Sequence, residues 1–511
     1  MKINISRQYK SAFLGTFLAG FIAHGYMLTN KVSFHDDISS LHTIGMTWKA
    51  GRWGLGIIQW CLENTVGKYS MPFWEGIISL FFIAATAVLL VEVLDIKDEK
   101  ISLLIGAIMA VFPSVTVTFM FMFTSGSYFF ALWLIVFAIW LIERHQYGWI
   151  PAIFCICFSL GIYQAFFGVG ITVAILLFIR QCIDETFEFK KFLGKILKYI
   201  IAGGFGLALY LVIVRISTRL TGIKIASYSG MNSMLNLSIG RRIKRIGLCF
   251  TDLMDMVLRD ENKLAGNFLI QFILIVMCIV FVCCAKNLLK QARGVWAKTW
   301  LVLMILILPI GINIIYPMTS SETIIHAIMR YSVVLLWIIA LWCVEVVKVQ
   351  EQWKILLYKR IVIICTLVSI VFYAYYSNSG YTKVHFLQEQ TTSYYTTMIT
   401  RIKSCEGYKD ELPVVYIGTG KLDDATLTQN TDYLIDVSLY SWDLVDWVND
   451  VVFTEYMKYQ CGFSPKLIYQ NEIEEWEEID KMPTYPDDGS IRIINEMVVV
   501  KFAEREIDNL N

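Results

Sequence analysis

Residues 72–93 read PFWEGIISLFFIAATAVLLVEV, and that stretch decides the fold. It is apolar over its whole middle, with one carboxylate near each end. At a helical rise of 1.5 Å per residue, about twenty such residues cross the roughly 30 Å hydrocarbon core of a bilayer. Working outward, runs of the same kind recur, among them GNFLIQFILIVMCIVFVCCA at 266–285. The spans read in this way are 9–29, 72–93, 101–122, 127–143, 149–164, 166–183, 199–218, 266–285, 299–316, 328–347 and 361–376. The expectation is an α-helical polytopic membrane protein with about eleven transmembrane helices. Composition agrees, since 56% of the 511 residues are hydrophobic and 17% charged, against roughly a quarter charged in globular domains. The stretch 149–183 is too long for one span. Its break is expected at Tyr163-Gln164, because a polar pair at membrane depth must turn or line a cavity.

Lysine and arginine set the orientation. With the N-terminus inside, the cytoplasmic segments hold Arg7 and Lys10, Lys97 and Lys100, Arg144, Arg180 and Lys195, Lys286 to Lys298, and Lys348 to Arg360. The short outer connections near 124–126 and 164–166 carry none. The segment 219–265, with GRRIKR at 240–245, is an exception, and long loops weigh little in this rule. An odd number of spans then puts residues 377–511 on the outer face of the membrane.

That tail loses the apolar runs and gains carboxylates, including Asp423, Asp424, Glu474, Glu475, Glu477 and Glu478. VVYIG at 414–418 and IRIINEMVVVKF at 491–502 read as strands, and 383–404 and 441–459 as amphipathic helices. A soluble α/β or α+β domain over 377–511 follows, beside a membrane domain over 1–376. Most of the twelve cysteines sit in apolar runs as small hydrophobes. Cys405 and Cys461 stand in the polar tail, where an oxidising compartment would permit them to pair.

Polar chemistry gathers on the expected outer face. The loop 30–71 opens with His35, Asp36 and Asp37 and continues through an amphipathic stretch containing Gly51-Arg52-Trp53. Adjacent carboxylates repel, so one has its pKa raised and can accept a proton near neutrality. The same Asp pair before Ile-Ser-Ser also fits a helix N-cap in a solvated turn. His24, Glu75, Arg215, His326 and Arg330 fall at the outer parts of different helices and suggest a polar outer chamber, or helix-end caps. Arg241 and Arg242 can hold a lipid phosphate through charge-assisted hydrogen bonds, or draw an amphipathic helix to anionic headgroups. Arg330, beside His326 at a helix mouth, is the second phosphate candidate. GTGK at 418–421 is not a complete P-loop.

HDD at 35–37, GRW at 51–53, FPSVTVTFMF at 112–121 and GIYQAFF at 161–167 together resemble bacterial serotype-converting O-antigen glucosyltransferases of the Gtr type. The resemblance implies a GT-C-like membrane fold and a polyprenyl-phosphate sugar donor, commonly undecaprenyl-phosphate glucose. It further implies a cell-surface glycan acceptor and no cofactor, the lipid-linked sugar being a substrate. Asp36 or Asp37 would be the catalytic base, and Arg52 would lie in the donor-site loop. Membrane lipids are the other expected partner, and nothing points to nucleic acid. Two other classes stay open, a transporter or flippase and a non-catalytic envelope assembly factor. The first predicts essential charges deeper in the membrane, the second tolerance of Asp36→Asn and Asp37→Asn.

Overall fold

Prolines, polar pairs and charged turns divide the apolar chain into helices. The computed structural model describes residues 6–32, 47–67, 70–225, 239–259, 267–319, 325–349, 351–418, 454–474 and 476–504. Two compact units result, one holding most residues up to Ser379 and the other most residues from Gly380 onward.

The first unit is a helical bundle. Its elements are α1 (Arg7–Thr29), α2 (Trp53–Thr65), α3 (Pro72–Val93), α4 (Glu99–Val111), α5 (Pro113–Phe119), α6 (Met122–Arg144) and α7 (Trp149–Ile162). They continue with α8 (Phe167–Cys182), α9 (Phe189–Thr221), α10 (Ile239–Leu258), α11 (Phe268–Gln291), α12 (Val295–Ile312), α13 (Ile315–Met318) and α14 (Leu335–Val346). The long α15 (Gln352–Lys403) closes the series. Among the described residues nine helices are long and apolar enough to cross a membrane, and the bent pair α4–α5 makes a tenth span. The shorter α7 is apolar as well. The chain is a polytopic helical membrane protein.

Two breaks shape the bundle. The expected span 101–122 is not one rod: α4 and α5 meet at 43°. Pro113 has no N–H to give the carbonyl of Met109, and it drives Phe112 to an extended ψ of 138°. The freed carbonyls are taken by side chains. Tyr331 Oη donates to Met109 O at 2.9 Å, and His24 Nε2 lies 2.8 Å from Ala110 O. A carbonyl only accepts, so that imidazole carries its proton on Nε2. His24 is therefore fully buried as a cap on the helix break. The second break falls where expected. α7 stops at Ile162, Tyr163 is extended, and a short 3-10 turn over Gln164–Phe166 leads into α8.

One end of the bundle is laced with ion pairs. Arg144 meets Glu92 at 2.8 Å, Arg180 meets Asp95 at 2.6 Å, Lys195 meets Glu143 at 2.8 Å and Lys359 meets Asp98 at 2.5 Å. Glu345 accepts the backbone N–H of Asp98 at 3.0 Å. Helix ends far apart in sequence thus converge on one layer, and it contains Arg144, Arg180, Lys195 and Lys359, four of the basic residues that the sequence assigns to a single face.

The second unit contains the remainder of α15, a helix over 454–460 (α16), α17 (Trp476–Asp480) and a three-stranded sheet. β1 (Val414–Ile417) lies parallel to β3 (Met497–Lys501), which pairs antiparallel with β2 (Ile491–Ile494). Val415, Ile417, Ile479, Met482 and Val499 form its core. The stretch 491–502, read above for its strand content, holds β2 and β3 and doubles back at Asn495 and Glu496, whose φ values of 44° and 61° make a tight hairpin turn. Cys405 and Cys461 are free thiols.

Candidate functional site

The Gly-Arg-Trp element is built into the bundle end opposite the ion-paired layer. Gly51 has a φ of +69°, and a Cβ there would stand 3.0 Å from the Tyr210 hydroxyl. A side chain would meet both the left-handed backbone penalty and that contact. The turn it completes, with Gly51 N–H donating to Trp48 O at 3.1 Å and Arg52 N–H to Thr47 O at 2.8 Å, delivers Arg52 to the start of α2. Trp53 then packs on the chain at Gly161, where a Cβ would come within 2.6 Å of the indole.

Arg52 is held by aromatic side chains. Nη1 donates to Tyr128 Oη at 2.7 Å. Its guanidinium lies 5.3 Å from the centre of the Tyr163 ring and 5.7 Å from that of Tyr128. The two rings stack 4.1 Å apart. Such faces attract a cation by about 0.5–2 kcal/mol while leaving its charge in place. Gln164, at the α7–α8 break, donates to Tyr210 Oη at 2.8 Å and to Ala50 O at 3.4 Å. GRW and GIYQAFF, 110 residues apart in sequence, are thus one local structure. Glu75 sits in the first turn of α3, where the helix dipole favours a carboxylate. A Cβ on Gly126 would lie 2.8 Å from its Oε2.

A second centre forms around Arg330, at an irregular residue (φ −110°, ψ 20°) of the 3-10 stretch Ala327–Val334. Arg330 Nη2 pairs with Asp252 of α10, and the two side chains are 3% and 5% exposed. Asp252 also accepts from Asn313 Nδ2 at 2.9 Å and from Tyr316 Oη. Arg330 Nε is buried without a hydrogen-bond partner among the described residues. Nearby on α10, Arg245 Nε donates to Tyr316 O at 2.6 Å and Arg242 Nη1 to Pro317 O at 2.9 Å. These arginines take carbonyls that the four-residue α13 leaves open. Aromatic rings join the two centres: Tyr163 lies 5.2 Å from Phe166, and Phe166 lies 5.7 Å from Tyr331, the neighbour of Arg330.

The sequence candidates thus divide. Arg52 and Arg330 are brought to one end of the bundle, along with Arg242 and Glu75. His326 is half-buried just ahead of the same 3-10 stretch, Arg241 is exposed on α10, and Arg215 is exposed on α9. His35, Asp36 and Asp37 lie outside the described residues. Sequence reading missed Tyr128, Asp252, Asn313 and Tyr316. Asp252 did leave a trace, standing seven residues after Arg245 and so on the same stripe of an amphipathic helix. Among the described residues no group of three or more His, Cys, Asp or Glu converges to hold a metal ion.

Residues 25–339, well over half the chain, match the family described as glucosyl transferase GtrII. The chain belongs to the GtrII glucosyl transferase family. The match takes in GRW, FPSVTVTFMF, GIYQAFF and both arginine centres, and it ends within α14. Comparison with curated proteins and with solved structures finds no match. Membership in the GtrII family makes this membrane protein a glucosyltransferase.

Proposed function

We propose that the chain moves a glucosyl group from a polyprenyl-phosphate donor to a cell-surface glycan on the non-cytoplasmic face, with Asp36 or Asp37 as the base. The observation that carries this reading is the asymmetry of the bundle. One end gathers Arg144, Arg180, Lys195 and Lys359, each tied to a carboxylate on a neighbouring segment, which suits the cytoplasmic side. The opposite end sets Arg52 among aromatic rings, Arg330 in its pair with Asp252, and Arg242 and Arg245 on backbone carbonyls beside it. In sequence the Asp pair precedes the turn at Thr47–Gly51, which belongs to that end.

The chemistry needs those parts. The base removes the proton of an acceptor hydroxyl, whose oxygen bonds to the anomeric carbon. The bond from that carbon to the phosphate oxygen breaks, and the electron pair leaves with the lipid monophosphate. One displacement inverts the centre. The leaving group is anionic already, so fixed cations stabilise its developing charge more than an acid would. Holding base, acceptor and donor together lowers the barrier further.

Labelled polyprenyl-phosphate glucose supplied to membranes tests the base. Wild type is compared with Asp36→Asn, Asp37→Asn and the double variant at equal expression. Loss of a positioned base should cost about 10²–10⁴-fold in rate. Full transfer by all three variants would remove the base from the scheme.

A further inference from the structure

Beside the Arg330–Asp252 pair runs a groove of about 400 Å³ between α10, α11, α12 and α14. Its wall is almost wholly apolar, with Phe250, Met254, Met277, Leu308 and Ile339 among the lining residues. We propose that this groove seats the isoprenoid chain of the lipid-phosphate donor, with the phosphate at the arginines beside it. The inference rests on the polyprenyl-phosphate reading given above and assigns that donor a place.

Three observations lead to it. The groove ends against the polar cluster: its lining residue Leu253 follows Asp252, and its lining residue Ile312 precedes Asn313. An amphiphile lying in it would therefore have its head beside Arg330, Arg242 and Arg245. Those three guanidinium groups bring several N–H donors to one place, and such donors suit a phosphate. Arg330 also keeps a buried Nε with no partner among the described residues, a donor that a phosphate oxygen satisfies.

The second observation is the shape of α10. Its groove face recurs at Phe250, Leu253, Met254, Val257 and Leu258, the spacing of one helical stripe. Met254 and Leu258 stay 58% and 63% exposed, so the stripe is only partly covered by protein. Methionine is an adaptable wall for a flexible branched chain.

The third is a contrast. A groove of similar size, about 390 Å³, lies between α6, α7, α8 and α9. Its lining includes Ile196 and Tyr199, and Tyr199 donates to Glu143 in the ion-paired layer. It meets cations already matched by carboxylates. Its chemistry suits a lipid tail alone, whereas the α10 groove suits a tail joined to a phosphate.

Photocrosslinking to the purified full chain with a diazirine-bearing polyprenyl phosphate tests this directly. Adducts are expected on α10, α11, α12 or α14, competed by unlabelled polyprenyl phosphate and not by phosphatidylglycerol. Adducts confined to the α6–α9 groove, or equal competition by phosphatidylglycerol, would overturn the assignment. A kinetic arm uses Met277→Trp, which fills the groove. The ratio of kcat/KM for a long-chain polyprenyl-phosphate glucose to that for citronellyl-phosphate glucose should fall at least about tenfold, and an unchanged ratio counts against the groove. If wild type transfers from neither donor, the donor reading fails on its own account. The crosslinking arm needs no variant, so a Met277→Trp chain that does not fold leaves the proposal open to refutation.

Discussion

At the scale of single residues the Arg330–Asp252 pair is the most consequential feature of the bundle. Taking both charges out of water is costly, and their attraction offsets that cost only because Asn313 and Tyr316 also bind the carboxylate. Removing one partner strands the other. Asp252→Ala should lower stability by about 3–5 kcal/mol, read as a fall in the thermal midpoint of the detergent-purified protein. Asp252→Leu combined with Arg330→Met should recover part of that loss, since no charge is then stranded, although Asn313 and Tyr316 lose their acceptor. The double variant should still be defective in glucosyl transfer. Full activity in a stable double variant would show that Arg330 serves packing alone. Sequence reading found Arg330 from its place at a helix mouth. It could not find Asp252, because the pair spans 78 residues and lies in a segment where charges read equally well as solvated.

At the scale of elements the α4–α5 break shows how an irregular backbone is kept in a membrane. Pro113 frees carbonyls that lipid cannot satisfy, and Tyr331 and His24 satisfy them. Tyr331→Phe should therefore cost about 1–3 kcal/mol by leaving Met109 O unpaired. The same substitution in a Pro113→Ala background should cost less, because the alanine restores a backbone N–H that can donate to that carbonyl. The four chains form a double-mutant cycle in thermal unfolding, and simple additivity would disprove the link. The existence of these helices was legible in the sequence, since twenty apolar residues have few alternatives to a span. The Tyr163 break was legible too, from two polar side chains at mid-membrane. The Pro113 kink was not, because its partners lie on helices distant in sequence. The hairpin turn in 491–502 hid for a local reason: Asn495-Glu496 lacks the glycine that normally announces it. α15 runs unbroken through Ser377-Asn378-Ser379-Gly380, which looks like an interruption in the sequence. Asn378 Nδ2 instead binds Ala374 O at 2.9 Å within the helix and Ile22 O at 3.0 Å on α1.

At the scale of the whole bundle the ion-paired end sets how the protein responds to acid. Asp98 is partly buried, which raises its pKa. The hydrogen bond from Lys359 and the N–H groups of Ile101 and Lys100 outweigh that burial and hold the carboxyl below its ordinary value. Asp95 is likewise held below its ordinary value: burial opposes the shift, while Lys97 and Arg180 drive it. For a carboxyl depressed in the folded state, the stabilisation is complete above the unfolded pKa of about 4 and vanishes as pH falls through the lower folded value. Acidification should thus begin to loosen this end only below about pH 4, where α4, α15 and α8 lose the carboxylates joining them. Asp98→Asn separates charge from capping, because asparagine can still accept from the first N–H groups of α4. At neutral pH that variant should melt below wild type, and the gap should close as pH falls through the carboxylate range. Asp98→Ala should lie about 1 kcal/mol below Asp98→Asn at every pH, the cost of an empty N-cap. A gap between wild type and Asp98→Asn that stays constant from neutral pH into acid would show that the Lys359 contact contributes nothing through charge.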